Sequence, residues 1–105
     1  MKAQATMDPF HAIADPSRRA ILHMLAKDSH TINALAENFE MSRPAVSKHV
    51  KILYMAGFIL IEDKGRERHC ALKKDGFKEI QEWMNYFDKF WIRKLKNLEN
   101  LMNKK

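Results

Sequence analysis

The chain of 105 residues holds a single cysteine, three glycines and three prolines. One thiol, Cys70, excludes an intrachain disulfide and makes the reducing cytoplasm the expected compartment. So little Gly and Pro, against 46% hydrophobic residues, excludes a low-complexity chain and leaves an ordinary globular one, rich in helix. No apolar run reaches the ~18–20 residues of a membrane span. The opening residues lack the pattern of a signal peptide, so a membrane partner is not expected. Acid is missing in one place. From Met41 to Ile61 there is no Asp or Glu, yet Arg43, Lys48 and Lys51 fall inside that stretch. With a net charge of +6 and a pI near 9.6, the balance favours a polyanionic partner.

The acid-free stretch reads as a helix from Ser42 to a stop at Gly57. Ser42 suits the N-cap, and Pro44 is tolerated in the first turn because its missing N–H costs no intrahelical bond. Val46, Val50 and Leu53 follow the i, i+4, i+7 pattern of a buried stripe. At ~100° per residue, Pro44, Ser47, Lys48 and Lys51 lie opposite, with His49 on a flank of the stripe. A short-polar, basic face without acid suits a groove walled by phosphates, and an ordinary surface helix is the alternative.

Upstream, residues 1–7 read as a loose tail. Asp8-Pro9 and Asp15-Pro16 are two helix-start signals, with Asp as cap and Pro at the first helical position. They predict a short helix over 9–14 and a longer one from Pro16 to about Lys27. In the longer one Ile21, Leu22 and Leu25 face the core, and Arg18 is expected to reach outward. Thr31 caps a third helix, in which Ile32, Leu35, Ala36 and Phe39 mark the buried face. Only Glu40 and Met41 separate it from Ser42, so the two helices must cross steeply, as in a helix-turn-helix or a generic helical corner.

After Gly57, Phe58 to Ile61 read as a strand, Asp63 to Arg66 as a turn, and Arg68 to Leu72 as a second strand. A hairpin carrying Lys64, Arg66 and Arg68 directly after a helix-turn-helix is a wing, placed to touch phosphates or a minor groove. From Asp75 a long helix follows. Its apolar positions are Phe77, Ile80, Trp83, Met84, Phe87, Phe90, Trp91, Leu95, Leu98, Leu101 and Met102, too many for a helix that only covers the edge of a small core. Pairing with the same helix of a second copy is the economical solution. Phe10, Ile80, Trp83, Met84, Phe87, Phe90, Trp91, Leu95, Leu98 and Met102 are the expected dimer surface. Lys94, Lys96, Lys104 and Lys105 gather near the end of the helix, where they complement its dipole.

The fold class is therefore mainly α with a small β-hairpin: four helices, two strands and a terminal helix. Residues 8–74 form the winged helix-turn-helix, and residues 75–105 a dimerisation helix of the same domain. Catalysis has no constellation to stand on. His11, His23, His30, His49 and His69 contain no i, i+4 pair, and His23 reads as a packed helix residue. His69 and Cys70 point to opposite sides of a strand. Cys70 reads as a buried, inert thiol, and a redox-sensing thiol is the sharper alternative.

The order of elements resembles the ArsR/SmtB family of bacterial winged-helix repressors. The match is carried by Ala14-Asp15-Pro16-Ser17-Arg18-Arg19 with Ile21-Leu22, by Met41 to Val50 with Leu53, by Ala56-Gly57-Phe58, and by Gly65-Arg66-Glu67-Arg68 ending at Leu72. The resemblance implies a homodimer that represses transcription from an imperfect palindrome of double-stranded DNA. The base-reading helix then supplies Ser42, Arg43, Pro44, Ser47, Lys48 and His49, with Lys51 on phosphates. Arg66 and Arg68, with Lys64 behind them, are the wing contacts. Metal-sensing members carry Cys-x-Cys in the helix that corresponds to Thr31–Phe39, which here has no Cys or His. Others use the terminal helices, where this chain has Asp88 and Glu99 but no His. No metal and no cofactor is expected, and no small-molecule or protein effector is identified. Two other readings stay open: a sequence-indifferent DNA-coating protein, and a protein-interaction module using the aromatic terminal helix.

Overall fold

The computed structural model describes residues 7–103. Five helices and three strands follow in the order α1 (Pro9–Ala12), α2 (Pro16–Lys27), β1 (His30–Thr31), α3 (Ile32–Phe39), α4 (Arg43–Met55), β2 (Ile59–Lys64), β3 (Glu67–Leu72) and α5 (Lys74–Asn103). Residues 1–6 of the expected tail, and Lys104 and Lys105, lie outside the described residues. Met7 is tied down, its N–H donating to the carbonyl of Met55 at 3.3 Å.

Each early helix begins where its cap dictates. The Asp8 carboxylate accepts from the N–H of Phe10 at 2.9 Å, and that of Asp15 accepts from the N–H groups of Ser17 and Arg18 at 2.7 and 3.2 Å. Thr31 Oγ1 accepts from Ala34, and Ser42 Oγ from Ala45. Each cap satisfies donors that the first helical turn leaves without a partner. Helix α1 stops at Ala12 rather than Ala14, because Asp15 must be extended to cap α2 (φ −89°, ψ 126°). The turn between α3 and α4 places Glu40 in the left-handed region at φ 52°. Helix α4 ends in a Schellman motif: Gly57 takes φ 87°, its N–H donates to Tyr54, and the N–H of Phe58 donates to Leu53.

The sheet has three strands rather than two, in the order β1-β3-β2, all antiparallel. His30 pairs with Cys70 and Thr31 with His69, so β3 is the central strand. Lys64 pairs with Glu67, which leaves a two-residue loop, Gly65-Arg66, in place of the expected four-residue turn. Gly65 at φ 63° permits so tight a reversal, and Asp63 and Lys64 therefore continue the ladder.

The core lies between the helices and the inner face of the sheet. Ile21, Leu35, Val46, Leu53, Phe58, Ile59 and Cys70 are fully buried. Gly76, in the first turn of α5, passes so close to Phe58 that an added Cβ would stand 2.8 Å from its ring and 2.9 Å from the Ala56 carbonyl. The Gly76 N–H donates to the Gly57 carbonyl at 2.9 Å, and the rings of Phe58 and Phe77 meet edge to face at 4.7 Å. Beyond this joint α5 leaves the body. The molecule measures 70 × 36 × 19 Å with a radius of gyration of 18.8 Å, against about 13 Å for a compact domain of this length.

Candidate nucleic-acid interface

The outer face of α4 carries the cationic row. Ser42, Arg43, Pro44, Lys48 and Lys51 are exposed, and Ser47 and His49 are half-buried. Val46, Val50 and Leu53, on the other side of the helix, are buried. Among the described residues Arg43, Lys48 and Lys51 make no ion pair. The Ser42 hydroxyl serves as the cap of α4, leaving its own hydrogen free to donate.

The hairpin closes one side of this face. Ser47, Val50, Lys51, Tyr54 and Met55 of α4 line a groove of about 460 Å³ with Ile32, Ile61 and Arg68. Ser47, Lys51 and Arg68 are thus brought together, whereas Lys64 and Arg66 stand at the hairpin tip. Two wing cations are partly neutralised: Arg68 Nε donates to Asp63 Oδ1 at 3.0 Å, and Lys64 lies 3.9 Å from Glu62. Arg66 has no ion pair among the described residues. Tyr54, half exposed in the same groove, belongs to the row of Ser47 and Lys51 at i+7 and i+3. Following that row one step further along the sequence would have found it.

Arg18 does not reach outward. It is 7% exposed, and its guanidinium folds back over the start of α2. Nε donates to the Ala12 carbonyl at 2.6 Å and Nη2 to the His11 carbonyl at 3.3 Å, while Nη1 lies 3.3 Å from His49 Nδ1. Arg19 repeats the pattern on Ile13 and Ala14 at 2.8 and 3.1 Å. The two arginines bond carbonyls of the last turn of α1 and of the two residues after it, and that of His11 also accepts from the Ala14 N–H. Partial burial alone would raise the Asp15 carboxyl. The N–H groups of Arg18 and Ser17 and the Arg18 guanidinium outweigh it, and Asp15 is held below the ordinary carboxylate range.

One other expectation is corrected, and the reading of Cys70 as a buried thiol holds. His23 is exposed on the outer side of α2 rather than packed. Cys70 lies on the central strand with no exposure, and burial pushes its thiol up, so it stays protonated and out of reach of oxidants. The redox-responsive alternative therefore loses its reactive thiolate. Among the described residues no three His, Cys, Asp or Glu side chains stand close enough to hold a metal ion, and no helix is long and apolar enough to cross a membrane.

Residues 15–59 match the family described as bacterial regulatory protein, arsR family. The chain is 33% identical to the HTH-type transcriptional regulator Rv2034 of Mycobacterium tuberculosis over 94 residues, covering 90% of this chain and 85% of that one. This chain belongs to the ArsR family. It is also 36% identical to the transcriptional repressor SdpR of Bacillus subtilis over 81 residues, covering 76% of this chain and 90% of the other. The crystal structure of an ArsR family transcriptional regulator, RHA00566, superposes with a TM-score of 0.74 at 36% identity, covering 80% of this chain and 87% of that one. As a member of the family the chain is a DNA-binding regulator of transcription and not an enzyme. The matched segment takes in α2, β1, α3 and α4 and ends at the first residue of β2.

Proposed function

We propose that this ArsR-family chain is a repressor that binds an imperfect palindrome as a homodimer. One observation carries the reading: among the described residues α4 presents an acid-free row of cations without ion pairs and short polar side chains beside a basic hairpin, while α5 exposes an apolar stripe that no other described element covers. Two copies joined along that stripe, with Phe10 at its base, present two α4 helices to successive turns of one face of a duplex.

In this arrangement Arg43 reads a guanine bidentately, and Ser47 and His49 hydrogen-bond to base edges. Ser42 and the N-terminus of α4 meet a phosphate. Lys48 and Lys51 position the helix, and Arg66, with Arg68 and Lys64, holds the flanking backbone. The dimer would neutralise roughly 6–10 phosphates, so binding falls steeply with salt. The name of SdpR, a transcriptional repressor, supports repression over activation.

Fluorescence anisotropy tests the reading, using DNA from the chain's own upstream region, a scrambled duplex and two salt concentrations. The expected result is saturable binding ~10³-fold tighter to the native fragment than to the scramble. Equal, salt-labile binding to both fragments, repeated with fragments selected genome-wide, would make the chain a DNA-coating protein instead.

A further inference from the structure

Arg18 and His49 meet where α2 packs beside α4. The guanidinium is fixed from several sides: by the carbonyls of Ala12 and His11, and by the Asp15 carboxylate 3.8 Å from Nη1. Every guanidinium nitrogen carries hydrogen and none accepts a hydrogen bond. The hydrogen in the 3.3 Å contact between Nη1 and His49 Nδ1 therefore comes from arginine, and Nδ1 must offer a lone pair. A neutral imidazole has one N–H, so the proton sits on Nε2. No buried side-chain nitrogen or oxygen of the described residues lacks a hydrogen-bond partner. Among the described residues no group bonds Nε2, so that nitrogen is available to a ligand, on a helix whose neighbouring side chains form the cationic face.

We infer that Arg18 is a positioning residue for sequence reading: it fixes His49 as a neutral imidazole that presents Nε2–H as a hydrogen-bond donor. Such a donor selects an acceptor on a base edge, namely a purine N7, guanine O6 or thymine O4, and rejects the exocyclic amines of adenine and cytosine. A histidine free to exchange tautomers would accept as readily as donate and would discriminate poorly. The inference rests on the reading of α4 as the base-reading helix, and its tests separate the two.

The first test is the nitrogen–proton correlation spectrum of the His49 ring in the free, full-length protein. The wild type should show one fixed tautomer, protonated at Nε2, and Arg18→Met should show a mixture. A proton on Nδ1, or a tautomer mixture in the wild type, overturns the inference, and this holds even if Arg18→Met does not fold. The second test uses duplexes enriched from a randomised pool by the wild-type protein, together with versions altered at each base pair. His49→Gln, which carries an N–H near the position of Nε2, should keep the wild-type preference. His49→Asn, which ends short of it, should lose about five- to tenfold at one base pair in each half-site. Equal losses in both variants, or a loss spread evenly over all duplexes, overturn the inference. A wild type without any sequence preference sinks the base-reading helix itself, and the inference with it, whatever the ring spectrum shows.

Discussion

Residues 7–73 and residues 74–103 obey the same helical periodicity and meet opposite fates. In the body the apolar stripes of α2, α3 and α4 converge on one another and on the sheet, and Tyr54 and Leu60 are the large apolar side chains left mostly exposed among those described. In α5 the stripe is as regular, yet Trp83, Trp91, Leu98 and Met102 are 55%, 56%, 52% and 70% exposed. Among the described residues only the first turns of α5 find partners in the body: Phe77 against Phe58, Ile80 against the core, and Trp83 against Phe10 at 5.2 Å. Farther along, the rings meet each other, as in Trp83 with Phe87 and Phe90 with Trp91. Amphipathic spacing says that a face is to be buried and leaves open which surface buries it. The body supplies its own answer, and on the proposed reading a second copy supplies the answer for α5.

The sharpest break of this contrast is a charge on the distal stripe. Trp91→Glu combined with Leu98→Glu should cost at least about 2 kcal/mol each in the dimer, roughly a thousandfold together. Light scattering should then show a monomer at micromolar concentration, and circular dichroism an intact body. A double variant that remains dimeric would remove α5 from the interface. A wild type that is already monomeric would hand α5 to a different partner, as in the protein-interaction reading.

The joint between the two regions is the next place to press. Gly76→Ala sets a methyl group against the Phe58 ring and the Ala56 carbonyl at under 3 Å. The carbonyl belongs to the end of α4 and cannot give way alone. A destabilisation of about 1–3 kcal/mol is expected from urea denaturation. A change near zero would mean that Phe58 can rotate aside and that α5 is not locked to the core at this point.

The helices were legible because their signals are local. Asp15-Pro16, Thr31 and Ser42 each place a helix start that the structure repeats, and the i, i+3, i+4 spacings name the core. What the residues did not reveal depends on distant partners. Strand β1 is two residues long and exists only because His30 and Thr31 lie against Cys70 and His69, some forty positions away. Arg18 read as an outward cation because nothing nearby in sequence says that the end of α1 folds back to receive it. Gly76 is required by the Phe58 ring against it, a residue of another element to which nothing adjacent in sequence points. The candidate interface was readable as a row on one helix. Its groove with the hairpin needed the tertiary packing of β2 and β3 on α4, whereas Tyr54 lay on the same row of the sequence.

A smaller effect is expected within the body, at the turn joining α3 to α4. Glu40 holds φ 52° with its N–H on the Ala36 carbonyl, and the N–H of Met41 reaches the same acceptor at 3.3 Å. The left-handed region penalises a side chain that glycine lacks, partly offset by the greater freedom glycine has when unfolded. Glu40→Gly should therefore stabilise the fold by about 0.5–1 kcal/mol, read as a higher denaturation midpoint. A loss of stability instead would show that the Glu40 side chain makes an interaction worth more than the strain.

The smallest effect lies at the start of α2 and is lost in acid. Asp15 is held below the ordinary carboxylate range by the N–H groups it caps and by Arg18. Its charged form is therefore favoured in the folded state. The stability this contributes is complete above the unfolded carboxylate pKa of about 3.9 and disappears as the pH falls through the lower folded value. Asp15→Asn keeps an oxygen to cap α2 but has no proton to gain. Its thermal midpoint should fall slightly at neutral pH, where the attraction to Arg18 is lost, and should converge with the wild type as both are taken into acid. Parallel curves across that range would assign the role of Asp15 to cap geometry alone. Convergence would show that its charge helps to hold Arg18 against α1 and His49, which links the fold of the body to the face that α4 presents.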